Sequence, residues 1–158
     1  MQRVYITAAL VLWITSGVAG QSAQDEQQLG HLLDQWVAAR NANNLEQMRA
    51  VFDSQMDHVN VGTGEVIATD ADGSVNWFDR GFKGSRAGST GNSTFRVLNQ
   101  KIRVLSPAAA LIDFRYTLHA ADGQQTTSGS VVYFCVKRGS EWKVGALRYA
   151  SQPTASAK

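Results

Sequence analysis

Thr94–Leu105 (TFRVLNQKIRVL), Ala110–His119 (ALIDFRYTLH), Ser128–Val136 (SGSVVYFCV) and Trp142–Tyr149 (WKVGALRY) are four runs rich in β-branched and aromatic residues. The connectors are Ser106-Pro107, Ala121-Asp122-Gly123 and Arg138-Gly139-Ser140, all turn chemistry between antiparallel neighbours. Phe95 and Val97 are odd-numbered, whereas Leu98, Ile102 and Val104 are even. That change of parity predicts a bulge in a long, bent first strand. The second half of the chain therefore reads as a curved antiparallel meander.

Before the meander the hydrophobic period is helical. From about Asp25 to Ala42, Leu29, Leu32, Leu33 and Trp36 recur on one face, with Val37 adjoining. Gln21–Gln28 is polar and reads as frayed. Asn43-x-x-Glu46 reads as a capping box opening a second helix that carries Leu45, Met48 and Phe52 and ends near Ser54. Met56–Val61 alternates as a short strand closed by Gly62-Thr63-Gly64. Asp70-Ala71-Asp72-Gly73 is a turn, and Ser74–Phe82 is a short helix presenting Trp77, Phe78 and Phe82. The stretch Gly81–Gly91 is rich in glycine and basic residues. It lacks the GxxxxGK[ST] spacing of a phosphate cradle and reads as a mobile loop. Two helices followed by a curved sheet is an α+β layer architecture.

The first twenty residues read differently. Arg3 precedes an apolar run, Val4–Ile14 (VYITAALVLWI), and Thr15–Gly20 is a small-residue exit. This is the three-part pattern of a signal peptide, and the run is shorter than the ~20 residues needed to cross a bilayer. Residues 1–20 are expected to be removed, leaving residues 21–158 as a secreted or periplasmic domain with no further membrane segment. The chain has 15 Lys plus Arg against 13 Asp plus Glu, and removal of Arg3 leaves fourteen against thirteen. Nucleic-acid binding requires a clustered surplus of positive charge, so no such partner is expected. Cys135, the single cysteine, lies within an apolar run and reads as a buried, inert thiol.

Five segments, in order along the chain, carry a family resemblance. They are Trp36–Leu45 (WVAARNANNL), Val59–Gly62 (VNVG), Phe82–Gly84 (FKG), Ile102–Leu111 (IRVLSPAAAL) and Gly139–Val144 (GSEWKV). The pattern resembles the nuclear transport factor 2-like superfamily, in particular its SnoaL-like branch of the SgcJ/EcaC type. The resemblance implies a cone: a curved sheet wrapped around N-terminal helices, with a pocket at its open end and frequent dimerisation through the outer sheet face. It implies little about chemistry, because isomerases, dehydratases, cyclases, epoxide hydrolases and binding domains share the cone. In catalytic relatives the last strand often supplies a pocket-facing His or acid, and here those places read as Ala146 and Arg148.

Several side chains are candidates for work. His58 beside Asp57 is either a base facing the cavity or a packed, hydrogen-bonded imidazole. Strand alternation separates Ile112, Phe114, Tyr116 and Leu118 from Asp113, Arg115, Thr117 and His119. Asp113 with Arg115 is either a charged pair inside the cone, where Asp113 would be a second candidate base, or a pair on the outer face. Trp36, Trp77, Tyr116 and Phe134 are the candidate apolar wall. Arg148 is the candidate clamp for an anionic ligand group, because a guanidinium matches a carboxylate with two parallel hydrogen bonds. With Phe134 inward, Val131 and Tyr133 fall on the outer face, where a second copy of the chain is expected to cover them. No metal-ligand spacing, nucleophile elbow or dinucleotide fingerprint is present, so no cofactor is expected. Asn92-Ser93-Thr94 matches a glycosylation sequon.

The leading expectation is an exported domain whose apolar cone holds a small organic ligand. The alternatives are a cofactor-independent isomerase, dehydratase or hydrolase, and a dimeric assembly domain with a filled cone. If the leader reading is right, intact-mass measurement on exported protein gives a chain beginning near Gln21. A full-length chain retained in the membrane fraction would refute it.

Overall fold

In the computed structural model, which describes residues 9–83 and 93–153, helix α1 (Ala9–Asn41) lies against the concave face of a curved six-stranded sheet. Leu29, Leu33 and Trp36 are almost fully buried on its inner face. Gln21–Gln28 belongs to this helix and is not frayed. Its Gln, Ala and Glu residues are mostly good helix formers, and Asp25 anchors it. The Asp25 carboxylate accepts from Lys137 Nζ at 2.5 Å and from Trp142 Nε1 at 3.1 Å, and is itself 2% exposed. The hydrogen bond from Lys137 holds its carboxyl below the usual range, against burial, which pushes it up.

The far end of α1 is tied as firmly. Asn41 donates through Nδ2 to the Phe95 carbonyl (3.0 Å) and accepts from the Phe95 N–H (2.8 Å), so one side chain pairs with the backbone as a neighbouring strand would. Asn43 then takes the left-handed conformation (φ 52°) that ends a helix. Because Asn43 is used there, the cap of α2 (Leu45–Val51) falls one residue later than its expected place. Asn44 accepts from the Gln47 N–H at 3.0 Å. The second helix stops at Val51, since Phe52 already pairs with Val144 as the first residue of β1 (Phe52–Asn60).

A short strand not visible in the alternation, β2 (Glu65–Ala68), folds back on β1 through Gly62-Thr63-Gly64. Asp70 opens α3 (Ala71–Lys83) by accepting from the Gly73 N–H at 2.6 Å, so the turn tetrapeptide is a helix start. The meander follows as β3 (Thr94–Ser106), β4 (Ala109–His119), β5 (Gln125–Arg138) and β6 (Glu141–Pro153). The spatial order is β2-β1-β6-β5-β4-β3, and every pairing is antiparallel except β1 with β6. The sheet is thus mixed, not purely antiparallel, because β1 returns to the edge left free by the meander. The expected bulge in β3 lies between Leu98 and Lys101, with Asn99 at φ 51°. Residues 84–91 of the glycine-rich stretch and the sequon's Asn92 lie outside the described residues.

Strand β4 presents Ala110, Ile112, Phe114, Tyr116 and Leu118 to the core, as its alternation requires. In β5 the assignment is the reverse of the expected one. Val131, Tyr133 and Cys135 are buried, while Val132 (37%) and Phe134 (40%) are exposed on the outer face. Both sets are apolar, so composition gave no sign of the face; register with β4 sets it, pairing Tyr133 with the inward Ile112. Burial pushes the Cys135 thiol up to about 12, which leaves it unreactive at neutral pH.

Candidate functional site

The open end of the cone holds a cavity of about 360 Å³ between α1, α3 and the concave sheet. Its wall is aromatic. Trp36 from α1 meets Phe95 (5.0 Å between ring centroids), Tyr133 (5.8 Å) and Phe78 (6.0 Å), each edge to face. Tyr116 stacks on Phe95 at 4.8 Å and 14°. It is given room by Gly129 across the strand pair, where an added Cβ would come within 2.7 Å of the Tyr116 ring. Burial raises the Tyr116 hydroxyl, opposed by its hydrogen bond with Ser151. Trp77 and Phe82 of α3, Leu118 of β4, Val131 of β5, and Leu147 and Tyr149 of β6 complete the aromatic and aliphatic lining.

His58 is the one imidazole among the described lining residues, and no carboxylate is among them. It is 1% exposed, inward beside Leu147, and Nδ1 shares a 3.0 Å hydrogen bond with Ser74 Oγ of α3. Its ring lies against Trp77, Tyr149 and Phe78 at 5.0, 5.3 and 5.7 Å. Burial first, and the nearby Arg148 second, bring its pKa down to about 4, with Asp57 acting the other way. The imidazole is therefore neutral throughout the ordinary pH range.

Positive charge enters the lining from the helices. Arg40, one turn beyond Trp36 on the same face of α1, donates to the Ser93 carbonyl (2.6 Å) and hydroxyl (3.0 Å). Its guanidinium lies 5.7 and 5.5 Å from the centroids of Phe82 and Phe95. Desolvation lowers its pKa to about 10, so it keeps its charge. Arg80 of α3 is the second cation in the lining.

Four of the residues singled out from sequence meet in this cavity: Trp36, His58, Trp77 and Tyr116. Three do not. Phe134 is on the outer face, as above. Arg148 is committed to Asp57 by two bonds, Nη2 to Oδ2 at 2.5 Å and Nη1 to Oδ1 at 3.1 Å, outside the cavity. Its expected position failed at a second bulge. Phe134 pairs with Ala146 but Cys135 with Val144, so Gly145 is extra and every later residue of β6 changes face. Leu147 and Tyr149 consequently face the cavity in place of Ala146 and Arg148. Asp113 lies outside the cone, where it accepts from Arg103 of β3 at 2.9 Å and does not pair with Arg115. This removes it as a base. The lining residues missed include Arg40, Arg80, Phe95, Tyr133, Leu147 and Tyr149. Only Arg40 had a usable signal, its four-residue spacing from Trp36.

A family model for NTF2-like protein (DUF6841) matches residues 25–151. The chain belongs to this NTF2-like family. Among solved structures, a Nostoc punctiforme protein of unknown function with a cystatin-like fold superposes with a TM-score of 0.71 at 15% identity, over 85% of this chain and 96% of that one. LinA gives 0.69 at 10% identity, over 87% and 94%. A candidate scytalone dehydratase of Novosphingobium aromaticivorans gives 0.67 at 13% identity, over 87% and 89%. At these identities the likeness is one of fold. A search of curated proteins found no significant match. Among the described residues, no group of three or more His, Cys, Asp and Glu side chains is placed to hold a metal ion.

The buried imidazole makes a pH prediction. Its folded pKa of about 4 lies below the ordinary 6.5, so between these values the unfolded chain takes up a proton that the folded chain refuses. Stability is untouched by this group above about pH 6.5 and declines as the pH falls from there, by roughly 3 kcal/mol for the whole shift. Replacing His58 with Gln should flatten the melting temperature across that window. An identical acid slope in the variant would show that His58 is not held neutral.

Proposed function

We propose that the chain is an exported binding domain that holds a small, largely apolar organic ligand in the cone. The observation that carries this reading is the cavity wall itself: aromatic rings and two arginines, with His58 as the only imidazole or carboxylate among the described lining residues. A ligand pocket combines such a lining with few polar anchors. The arginines favour a neutral or anionic ligand over a cation. The expected carboxylate clamp at Arg148 is replaced in this reading by Arg40 and Arg80. The open cavity argues against an assembly domain whose cone is filled by its own side chains.

An enzyme is the second reading, and one observation favours it. The Ser74 contact fixes the neutral His58 ring and leaves Nε2 as the nitrogen available to a substrate proton. A pKa near 4 makes this a weak base at neutral pH, which is why binding is preferred. LinA and the candidate scytalone dehydratase share the cone. The test uses 8-anilinonaphthalene-1-sulfonate, an anionic aromatic dye. Saturable binding at one equivalent is expected, weakened at least tenfold by Leu147→Trp, which fills the cavity, and changed little by His58→Gln. Absence of saturable binding to the wild-type protein would refute the container. A substrate whose turnover disappears in His58→Gln would move the assignment to the enzyme.

We also propose a homodimer through the outer sheet face. Phe134 and Val132 stand exposed there, with Leu111 and Ala146 paired to Phe134 on either side. Phe134→Glu would bring an unpaired charge into that contact and should release monomers, as read by light scattering. A wild-type protein that is already monomeric ends the proposal.

A further inference from the structure

Two positive charges stand at one rim of the cavity. Arg40 lies in the last turn of α1 and Arg80 in the last turn of α3, and both line the cavity. Phe82, two residues past Arg80, has its ring 5.7 Å from the Arg40 guanidinium, so the two helix ends meet on the same side of the mouth. The chain has 13 Asp and Glu residues, all of them among the described residues, and none lines the cavity. Asp79, the acid beside Arg80, is taken by Lys83 at 2.9 Å, and Arg80 belongs to no ion pair of the described residues. A cation in the last turn of a helix offsets the partial negative charge of the terminal carbonyls. That accounts for the exposed Lys83. It does not account for Arg40, which is only 4% exposed, because the same service is available from the surface without desolvation.

We propose that this rim selects an amphipathic monoanion, a flat apolar ligand whose single carboxylate stays at the mouth and is held by Arg80. This rests on the container reading and adds the charge and the orientation of its ligand. The two arginines differ in what they can do. Arg40 is buried and its Nη1 and Nη2 already donate to Ser93, so it attracts the acid through its field and does not clasp it. Desolvation lowers its pKa only to about 10, so that field persists at neutral pH. Arg80 is exposed and yet lines the cavity, so a molecule in the cavity can reach its guanidinium. A guanidinium meets a planar carboxylate with two parallel hydrogen bonds, and one guanidinium within reach matches one negative charge. The rest of the ligand lies inward against Trp77, Phe95 and Tyr116, because a carboxylate carried deeper among the rings would lose its hydration. The same rim repels a cation, and an uncharged molecule of equal shape forgoes the attraction.

The experiment compares two probes of one shape, biphenyl-4-carboxylate and biphenyl-4-carboxamide, by calorimetry at neutral pH. Wild-type protein should bind the acid about tenfold tighter than the amide, and added salt should narrow the gap by weakening the acid alone. Arg80→Met should weaken the acid about fivefold, the scale of a partly exposed ion pair, and leave the amide within about twofold. Arg80→Lys should restore part of the acid's affinity, since it keeps the charge but loses the paired hydrogen bonds. Arg80 is exposed, so both variants should fold, and unchanged amide binding shows the cavity intact. Equal binding of acid and amide to wild-type protein overturns the proposal while the container stands. An acid preference that survives Arg80→Met in full, or equal weakening of both probes in that variant, overturns it as well. If neither probe binds, the container reading falls and the charged rim with it.

Discussion

The structure depends on how α1 is pinned across the concave sheet. Its inner face supplies Leu29, Leu33 and Trp36 to the core, but apolar contact alone would allow it to slide. Directional bonds at both ends prevent that. Asp25 is held by Lys137 and Trp142 near the β5–β6 turn, and Asn41 is bonded in both directions to the backbone of Phe95. Burying Asp25 is costly unless it is paired, and here Lys137 and Trp142 both donate to its Oδ1. A helix fixed at both ends cannot settle into the mouth of the cone. The space beside Trp36 therefore stays open, although the walls around it are aromatic and would otherwise close on one another.

The parts of the fold that were legible in the sequence are those where pattern and burial agree. Leu29, Leu33 and Trp36 share a helical face because one side of α1 meets the sheet and the other meets water. Phe114, Tyr116 and Leu118 alternate with polar neighbours for the same reason in β4. The parity break in β3 was readable because it interrupts an otherwise regular alternation, and Asn99 takes a left-handed conformation there. β2 escaped notice because four residues on an edge, mostly exposed, leave almost no pattern. Its partner β1 extends beyond Met56 because pairing with β6, a remote event, defines its start.

The site was legible only in part, for a geometrical reason. Strand side chains alternate with a period of two, so one extra residue reverses every assignment beyond it. Gly145 is that residue in β6, and it moved Arg148 out and Tyr149 in. β5 failed differently. With Val131, Tyr133 and Cys135 on one face and Val132 and Phe134 on the other, hydrophobicity carries no directional information. Trp36, His58, Trp77 and Tyr116 meet in the cavity because each sits on an element whose inward face is unambiguous.

The parallel pairing of β1 with β6 also constrains how the chain acquires its shape. His58 lies next to Leu147 in that ladder, with α3 and the whole meander between them in sequence. Until β6 has been synthesised, β1 has only the four residues of β2 to pair with. The meander β3–β6, whose neighbours are joined by short turns, forms its contacts at low loop-closure cost, whereas the β1–β6 ladder closes the longest loop of any strand pairing among the described residues. That topology makes the half of the cavity that carries His58 and Ser74 the last to close.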